Sequence, residues 1–385
     1  MTHAGGALAA FLGKRNDRWR AVTEVLPLRG GAETYPAQLA AIAAAKHSIC
    51  LEVYIFEDDS VGQRFAEALG ERARAGVHVR IIYDGVGCLG FSRLHNQLEQ
   101  LGVQLVEFHP IAPWRKRFNL SHRDHRKILV VDNEIGFVGG LNIGLEYADI
   151  ADGGLGWYDL HCQVRGDVVI DMARLFRRTW LRNDGAMYEA PPHPHGAKHT
   201  PVAAPAIRLL ENGPRRKQMV IRGAYLRAIA NARTHVQLQN AYFLPDRSTR
   251  AALVRACKRG VPVTVIVPGR SDVRSVYWAS LYAFHRLAPQ GVRILRWRGP
   301  MMHAKAAVVD ASWSLIGSSN LDARSLRYNL EVAVEIVSAT TGRELADAFD
   351  RDALHCDEFT LADWTALPWY QKALAWLMYR FRDWL

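Results

Sequence analysis

The apolar positions of this chain alternate between two spacings, and the alternation predicts its elements. Ser48 to Phe56 (Ser-Ile-Cys-Leu-Glu-Val-Tyr-Ile-Phe) is a near-continuous apolar run of strand length, and Val77 to Tyr83 is another. Between them Phe65, Leu69 and Ala73 recur at helical spacing and stop before Gly76, a residue suited to the left-handed turn that closes a helix. Strand, helix, strand in that order predicts a right-handed parallel unit. An alanine-rich helix opened by Tyr35-Pro36-Ala37 and running to Ala45 precedes this unit. A helix from Leu94 to Leu101, then Gly102 and a third strand from Val103 to Phe108, follow it.

The pattern then starts again. A helix from Val220 to Ala232 leads to a strand from His235 to Ala241, a helix from Ser248 to Lys258 ends at Gly260, and Val263 to Val267 is a strand. Arg74-Ala75-Gly76-Val77-His78-Val79 aligns without a gap with Lys258-Arg259-Gly260-Val261-Pro262-Val263, and Gly291-Val292-Arg293-Ile294-Leu295 mirrors Gly102-Val103-Gln104-Leu105-Val106. An internal duplication of one α/β lobe accounts for both, the period being too long for a solenoid. The stretch 184–205, rich in Pro, Ala and His, is the expected linker. The predicted organisation is therefore a first lobe over 1–183, the linker, a second lobe over 206–350 and a tail over 351–385.

Composition narrows the picture without deciding it. At 385 residues, 49% of them hydrophobic, the chain can bury two lobes of ordinary domain size. A net charge of +11 draws it toward polyanions: nucleic acid, anionic lipid or phosphorylated substrates. The five scattered cysteines offer no zinc or dithiol spacing and favour a reducing compartment. The apolar run Ala4 to Leu12 is too short to span a bilayer and has no basic region ahead of it, so neither signal nor anchor is expected there.

The chemistry comes from two copies of one motif. His125-Arg126-Lys127 leads to Asp132, Gly139-Gly140 and Asn142; His303-Ala304-Lys305 leads to Asp310, Gly317-Ser318 and Asn320. Counted from its own histidine, each copy has Lys at 2, Asp at 7, a small pair at 14 and 15, and Asn at 17. An imidazole can attack phosphorus or shuttle a proton, and a lysine two residues along a strand shares its face. If the lobes pack about a pseudo-twofold axis, His125 and His303 face one pocket. One would form a phosphohistidine and the other serve as acid and base, while Lys127, Lys305, Asn142 and Asn320 stabilise the phosphoryl oxygens. Gly140 and Ser318 are expected to allow close approach of phosphate. Asp132 and Asp310 belong to the repeated set, with a structural role expected for both. No metal or cofactor is required. His193, His195 and His199 lie in a Pro-rich setting without a regular ligand scaffold.

His-x-Lys-x4-Asp followed by a small pair and Asn, present twice, resembles the phospholipase D superfamily. Two segments are similar to its bacterial cardiolipin synthase branch. One is Ser318-Ser319-Asn320-Leu321-Asp322-Ala323-Arg324-Ser325 with Asn329-Leu330-Glu331, and the other is Tyr54-Ile55-Phe56-Glu57-Asp58-Asp59 with Gly62. The resemblance is to the soluble, shorter type without N-terminal transmembrane helices. It implies a duplicated α/β/α sandwich whose two lobes share one active site, and phosphatidyl transfer, commonly on phosphatidylglycerol, to an acceptor lipid or alcohol. It also implies that Asp159 and Glu331 each orient the histidine of the same half, and that His125 is the nucleophile, with the reverse assignment open. A superfamily hydrolase or nuclease is the competing reading.

Two further stretches bear on where the chain works. Trp114-Arg115-Lys116-Arg117-Phe118 reads either as a loop touching lipid phosphates or as a solvated turn. Tyr370, Leu374, Leu377, Met378, Phe381 and Leu385 form a helical stripe with Trp369, Trp376 and Trp384 at its margins. Such a helix either docks on the protein's own core or lies in a lipid interface, and the tryptophan density favours lipid. Trp369, Trp376, Phe381 and Trp384 are thus expected to touch an anionic phospholipid surface. That places the protein peripherally on the cytoplasmic face of the cell membrane, with nucleic acid an unlikely partner.

Overall fold

The structure is a computed structural model that describes residues 19–119, 121–190, 205–213 and 219–384. Ala4 to Leu12, most of the expected linker, the three linker histidines and Leu385 lie outside the described residues.

The first lobe runs β1 (Arg20–Ala21), β2 (Glu24–Arg29), α1 (Gly30–Ala44), β3 (Ser48–Val53), α2 (Ser60–Arg74), β4 (His78–Asp84), α3 (Ser92–Gln100), β5 (Gln104–Phe108), β6 (Ile128–Val131), β7 (Ile135–Gly139), β8 (Leu160–Arg165) and α4 (Asp167–Arg182). The second runs β9 (Ala206–Asn212), α5 (Val220–Asn231), β10 (Val236–Asn240), α6 (Arg247–Lys258), β11 (Val263–Pro268), α7 (Arg274–Leu287), β12 (Val292–Trp297), β13 (Lys305–Val309), β14 (Trp313–Gly317), α8 (Ala323–Arg327), β15 (Glu331–Val337) and α9 (Ala339–Ala353). β16 (Cys356–Glu358), α10 (Leu361–Ala366) and α11 (Trp369–Arg380) close the chain.

Local chemistry sets several ends. The Asp59 carboxylate accepts from the N–H groups of Val61 and Gly62, both at 2.9 Å, and starts α2; Gly76 turns the chain after it with φ +88°. α1 begins a turn and a half before the expected Pro36. Arg29 N–H donates to Glu33 there, and the Tyr35 hydroxyl, donating to the carbonyls of Asn142 and Gly144, ties the early turns to the lobe. These tertiary contacts outweigh the usual preference for proline in a helix's first turn.

The duplication is written into strand order. One sheet runs β2-β8-β7-β6-β3-β4-β5, and the other runs β9-β15-β14-β13-β10-β11-β12 with β1 and β16 added at its edges. In both, the three strands of the predicted crossover unit are parallel and the rest antiparallel. β1 crosses to the second lobe's sheet, where it pairs with β9. The sheets face each other across a core in which Ile128, Val130, Val138 and Cys162 meet Ala306, Val308, Ile316 and Val334, joined by Met172 and Phe176 of α4 and Leu345 and Phe349 of α9. Strands β6 and β13 are buried on both sides, as near-continuous apolar runs require. Among the described residues no helix is long and apolar enough to cross a membrane.

Candidate active site

His125 and His303 lie just ahead of the buried strands β6 and β13, and each is tied to the other lobe through the main chain. His125 N–H donates to Leu330 C=O at 3.0 Å, while Leu330 N–H donates back to Arg123 C=O at 2.9 Å. Symmetrically, His303 N–H donates to Tyr158 C=O at 2.6 Å, and Tyr158 N–H donates to Met301 C=O at 2.9 Å. These two bridges, Asp124 with Leu330 and Tyr158 with Met302, lie outside either sheet.

The residues after Leu330 and Tyr158 are the two acids, so each acid meets the histidine of the opposite lobe. Glu331 lies 3.1 Å from His125 Nδ1, and Asp159 lies 2.7 Å from His303 Nδ1. The same-half pairing expected from sequence is therefore corrected. Within one sheet β7 separates β8 from β6, and β14 separates β15 from β13, so an acid at the head of β8 or β15 starts roughly 10 Å from its own histidine strand.

Burial governs the charges. His303 is held neutral by desolvation and by the Lys305 charge, against the pull of Asp159, with its pKa lowered to about 4. His125 is lowered well below the usual imidazole range by burial, then by Lys127 and Lys305. Desolvation also brings Lys127 down to about 7 and lowers Lys305. The acids diverge. Burial lifts Glu331 to about 8 despite Lys127 and a hydrogen bond from the Ser318 hydroxyl. Burial would lift Asp159 too, but Lys305 and His303 hold it below the ordinary carboxylate range.

Both histidines and both asparagines line one cavity of about 530 Å³, together with Tyr54, Tyr147, Trp157, Tyr242, Asp322 and Arg324. Asn142 donates to the Tyr147 hydroxyl at 2.8 Å and accepts from Ile55 N–H at 3.2 Å; Asn320 accepts from Tyr242 N–H at 3.4 Å. Lys127 and Lys305 lie behind the imidazoles, each donating to the carbonyl of its own histidine. Tyr54 meets His125 edge-on at 4.8 Å, and Tyr147 meets His303 at 5.6 Å. Tyr54 and Arg324 fall inside the two family-like segments. Tyr147, Trp157 and Tyr242 carry no motif signal and enter the wall only through the fold.

Four of the expected site residues fall elsewhere. Gly140 and Ser318 do not line the cavity, and their N–H groups donate to Leu160 and Val332 carbonyls in the sheet, so direct phosphate contact by either is corrected. Asp132 and Asp310 lie at the far ends of β6 and β13. Asp132 accepts from the N–H groups of Lys46, His47 and Ser48, each at 2.8 Å, and Asp310 accepts from those of Arg233, Thr234 and His235. Both serve turns, away from the cavity, in keeping with the structural role expected of them.

The tail docks on the protein's own core and leaves its aromatic margin exposed. Helix α11 docks on α7 through Ala375, Met378 and Tyr379, with the Tyr379 ring 4.9 Å from Tyr282. Trp369, Trp376, Phe381 and Trp384 stay in solvent, Trp384 at 83% exposure, and Trp384 also lines the mouth of the cavity.

Two PLD-like segments, residues 39–149 and 225–353, match the family model described as "Cardiolipin synthase, PLD-like domain". The chain belongs to the cardiolipin synthase branch of the phospholipase D superfamily. A cardiolipin synthase of Halalkalibacterium halodurans is 33% identical over 354 residues, spanning 91% of this chain and 70% of the relative. Cardiolipin synthase A of Pseudomonas aeruginosa is 35% identical over 87% of this chain and 68% of its own length. In fold, the chain is similar to phosphatidylserine synthase of Haemophilus influenzae, with a TM-score of 0.72 and 14% identity over 99% of this chain and 97% of that one. Family membership makes the chain an enzyme of this superfamily.

Asp132→Ala leaves three backbone N–H groups of the Lys46–Ser48 turn without their acceptor. Equilibrium urea unfolding should show a loss of about 1–3 kcal/mol, while the folded variant keeps kcat within a few-fold of wild type. A loss of kcat at unchanged stability would return Asp132 to the chemistry.

Proposed function

We propose that the chain moves a phosphatidyl group from phosphatidylglycerol to a hydroxyl of an acceptor lipid or alcohol through a phosphohistidine. One observation carries this reading: two imidazoles, each with Nδ1 held by a buried carboxylate, line a single cavity between the lobes. With Nδ1 engaged, Nε2 is the nitrogen left for chemistry. His125 Nε2 attacks phosphorus, and a P–N bond forms as the P–O bond to the glycerol head group breaks. His303 gives its Nε2 proton to the departing alkoxide. In the second half His303 takes the proton of the acceptor hydroxyl, whose oxygen attacks phosphorus and breaks the P–N bond, restoring both imidazoles.

The electrostatics support this cycle. In the free enzyme His303 is neutral; the negative charge of a bound phosphodiester raises its pKa, so the acid form arises when substrate is present. Lys127, Lys305, Asn142 and Asn320 serve the phosphoryl oxygens. The relatives named cardiolipin synthases support the lipid substrate class. Aromatic walls at Tyr54, Trp157 and Tyr242 favour an acceptor alcohol over water. The exposed face of α11, ending in Trp384 at the cavity mouth, would seat in the interface of an anionic bilayer, the aromatic rings at head-group depth.

Phosphatidylglycerol vesicles incubated with the protein should yield a diphosphatidyl lipid and free glycerol, and His125→Ala and His303→Ala should each lower kcat by at least about 100-fold. Cleavage of single-stranded DNA with no new lipid would overturn the assignment in favour of a nuclease. In the free enzyme kcat/KM should fall as pH rises through about 7, because the Lys127 ammonium is charged only below that value. Lys127→Arg should carry the fall to higher pH, and an unmoved limb would remove Lys127 from the charge-stabilising set. Combined Trp369→Ser, Trp376→Ser and Trp384→Ser should reduce sedimentation with anionic vesicles several-fold; unchanged sedimentation would place the membrane contact elsewhere.

A further inference from the structure

A second cavity, of about 490 Å³, lies on the other side of the Asp124–Leu330 bridge from the catalytic cavity, and the two linings share no residue. Its polar wall is basic: Arg117, Arg126, Arg178 and Arg182 surround it with a single carboxylate, Glu211, among them. Arg126 comes from inside the first motif. Alternation along the chain turns it away from His125 and Lys127, so the motif serves two cavities, one from each side.

The hydrogen bonding on this wall is incomplete in one direction. Arg126 is 3% exposed and Asn212 is 1% exposed, yet Arg126 Nε and Asn212 Nδ2 have no partner among the described residues, and neither has Arg117 Nη1. All three orphans are donors. The remaining groups are engaged: Arg126 Nη1 donates to Glu52 and Thr179, Asn212 Oδ1 accepts from Ile221 N–H, Arg117 pairs with Asp184 at 2.8 Å, and Arg178 pairs with Glu211. Arg182 has no ion pair among the described residues, and its charge is left for whatever enters. A buried donor left without an acceptor carries an unrecovered desolvation cost, which an acceptor-rich anion removes and an apolar ligand does not.

We propose that this cavity is a second phosphate-binding site, separate from the catalytic one, which takes a phosphate monoester or diester by guanidinium forks and the Asn212 amide. A phosphate group supplies several acceptor oxygens in the geometry that planar guanidinium groups match. The volume is that of a small-ligand site and exceeds what a bare ion fills, so a head-group fragment fits as well as free phosphate. The stretch around Arg117, which reads in sequence as either a lipid-contacting loop or a solvated turn, divides accordingly. Trp114 and Lys116 face solvent, while Arg117 turns in to the cavity.

The test titrates the full chain by calorimetry with inorganic phosphate and, separately, with soluble glycerophosphoglycerol. Arg117→Gln combined with Arg182→Gln should weaken binding of at least one probe tenfold or more. Arg64→Gln combined with Arg74→Gln, the same charge change on the exposed face of α2, should leave both titrations within twofold. Basal turnover within twofold of wild type reports that the cavity variant is folded, since neither arginine touches the catalytic cavity. Tighter binding of glycerophosphoglycerol assigns the site to a lipid head group, and tighter binding of phosphate assigns it to the free anion; either supports the site. Absence of binding by both probes, or titrations that the cavity variant leaves unchanged, would overturn it.

Discussion

The crossed pair of main-chain bridges is the constraint on which the site depends. Each bridge fixes a histidine's backbone to the strand entry of the other lobe, and the next residue on that entry is the acid that holds the imidazole. Neither lobe alone holds a complete imidazole–carboxylate pair. The apolar core between the sheets therefore has a catalytic consequence. A slip of one residue along β8 or β15 would turn each acid to the opposite face, and the packing of Val138, Cys162, Ile316 and Val334 opposes such a slip. Registration of the two lobes and orientation of the two imidazoles are one physical event.

Placing six ionisable groups in that interface has an electrostatic cost, and the structure shares it out unevenly. Two lysines and two histidines are all driven toward their neutral forms by desolvation, and Glu331 is driven the same way. Only Asp159 keeps an ionised form more readily than a free carboxylate, because Lys305 lies 3.7 Å away and the Leu160 N–H donates at 2.7 Å. A site poised near neutrality gains most from an anion, since a negative charge favours the charged form of the lysines and of an imidazole together. Two halves with matching motifs thus differ in the protonation of their acids.

Much of this was legible in the chain. The apolar runs and glycine stops located the crossover-unit helices and strands of both lobes to within a few residues, though not α4, α7 or α9, and the identical offsets of the two motifs announced a shared site. The strand order was not legible. Alternation reports which residues are buried, and says nothing of β7 lying between β6 and β8, which is the fact that sends Asp159 to His303. Tyr147 and Tyr242 were equally silent, because an aromatic residue in a loop has no period to betray the wall it will form. Pro36 misled on the start of α1, where a tyrosine hydroxyl bonded across the lobe outweighs local preference.

The small pair that ends each motif shows how a correct pattern can carry a different cause. Gly140 and Ser318 occupy the same offset, and a need for phosphate to approach the backbone would explain both. Their surroundings argue otherwise. A Cβ on Gly140 would lie 2.2 Å from one oxygen of Asp159 and 2.4 Å from the other, so the missing side chain makes room for the carboxylate that holds His303. At the equivalent point the Ser318 hydroxyl donates to Glu331, the carboxylate that holds His125. Smallness is demanded in both lobes by an acid arriving from the adjacent strand, once as empty space and once as a donor. The difference tracks the protonation of the two acids: no hydroxyl reaches Asp159 from Gly140, and its charge is met by Lys305, whereas Glu331, lifted by burial, is held by a neutral donor. The motif's small residues serve the two carboxylates, and through them the imidazoles those carboxylates hold.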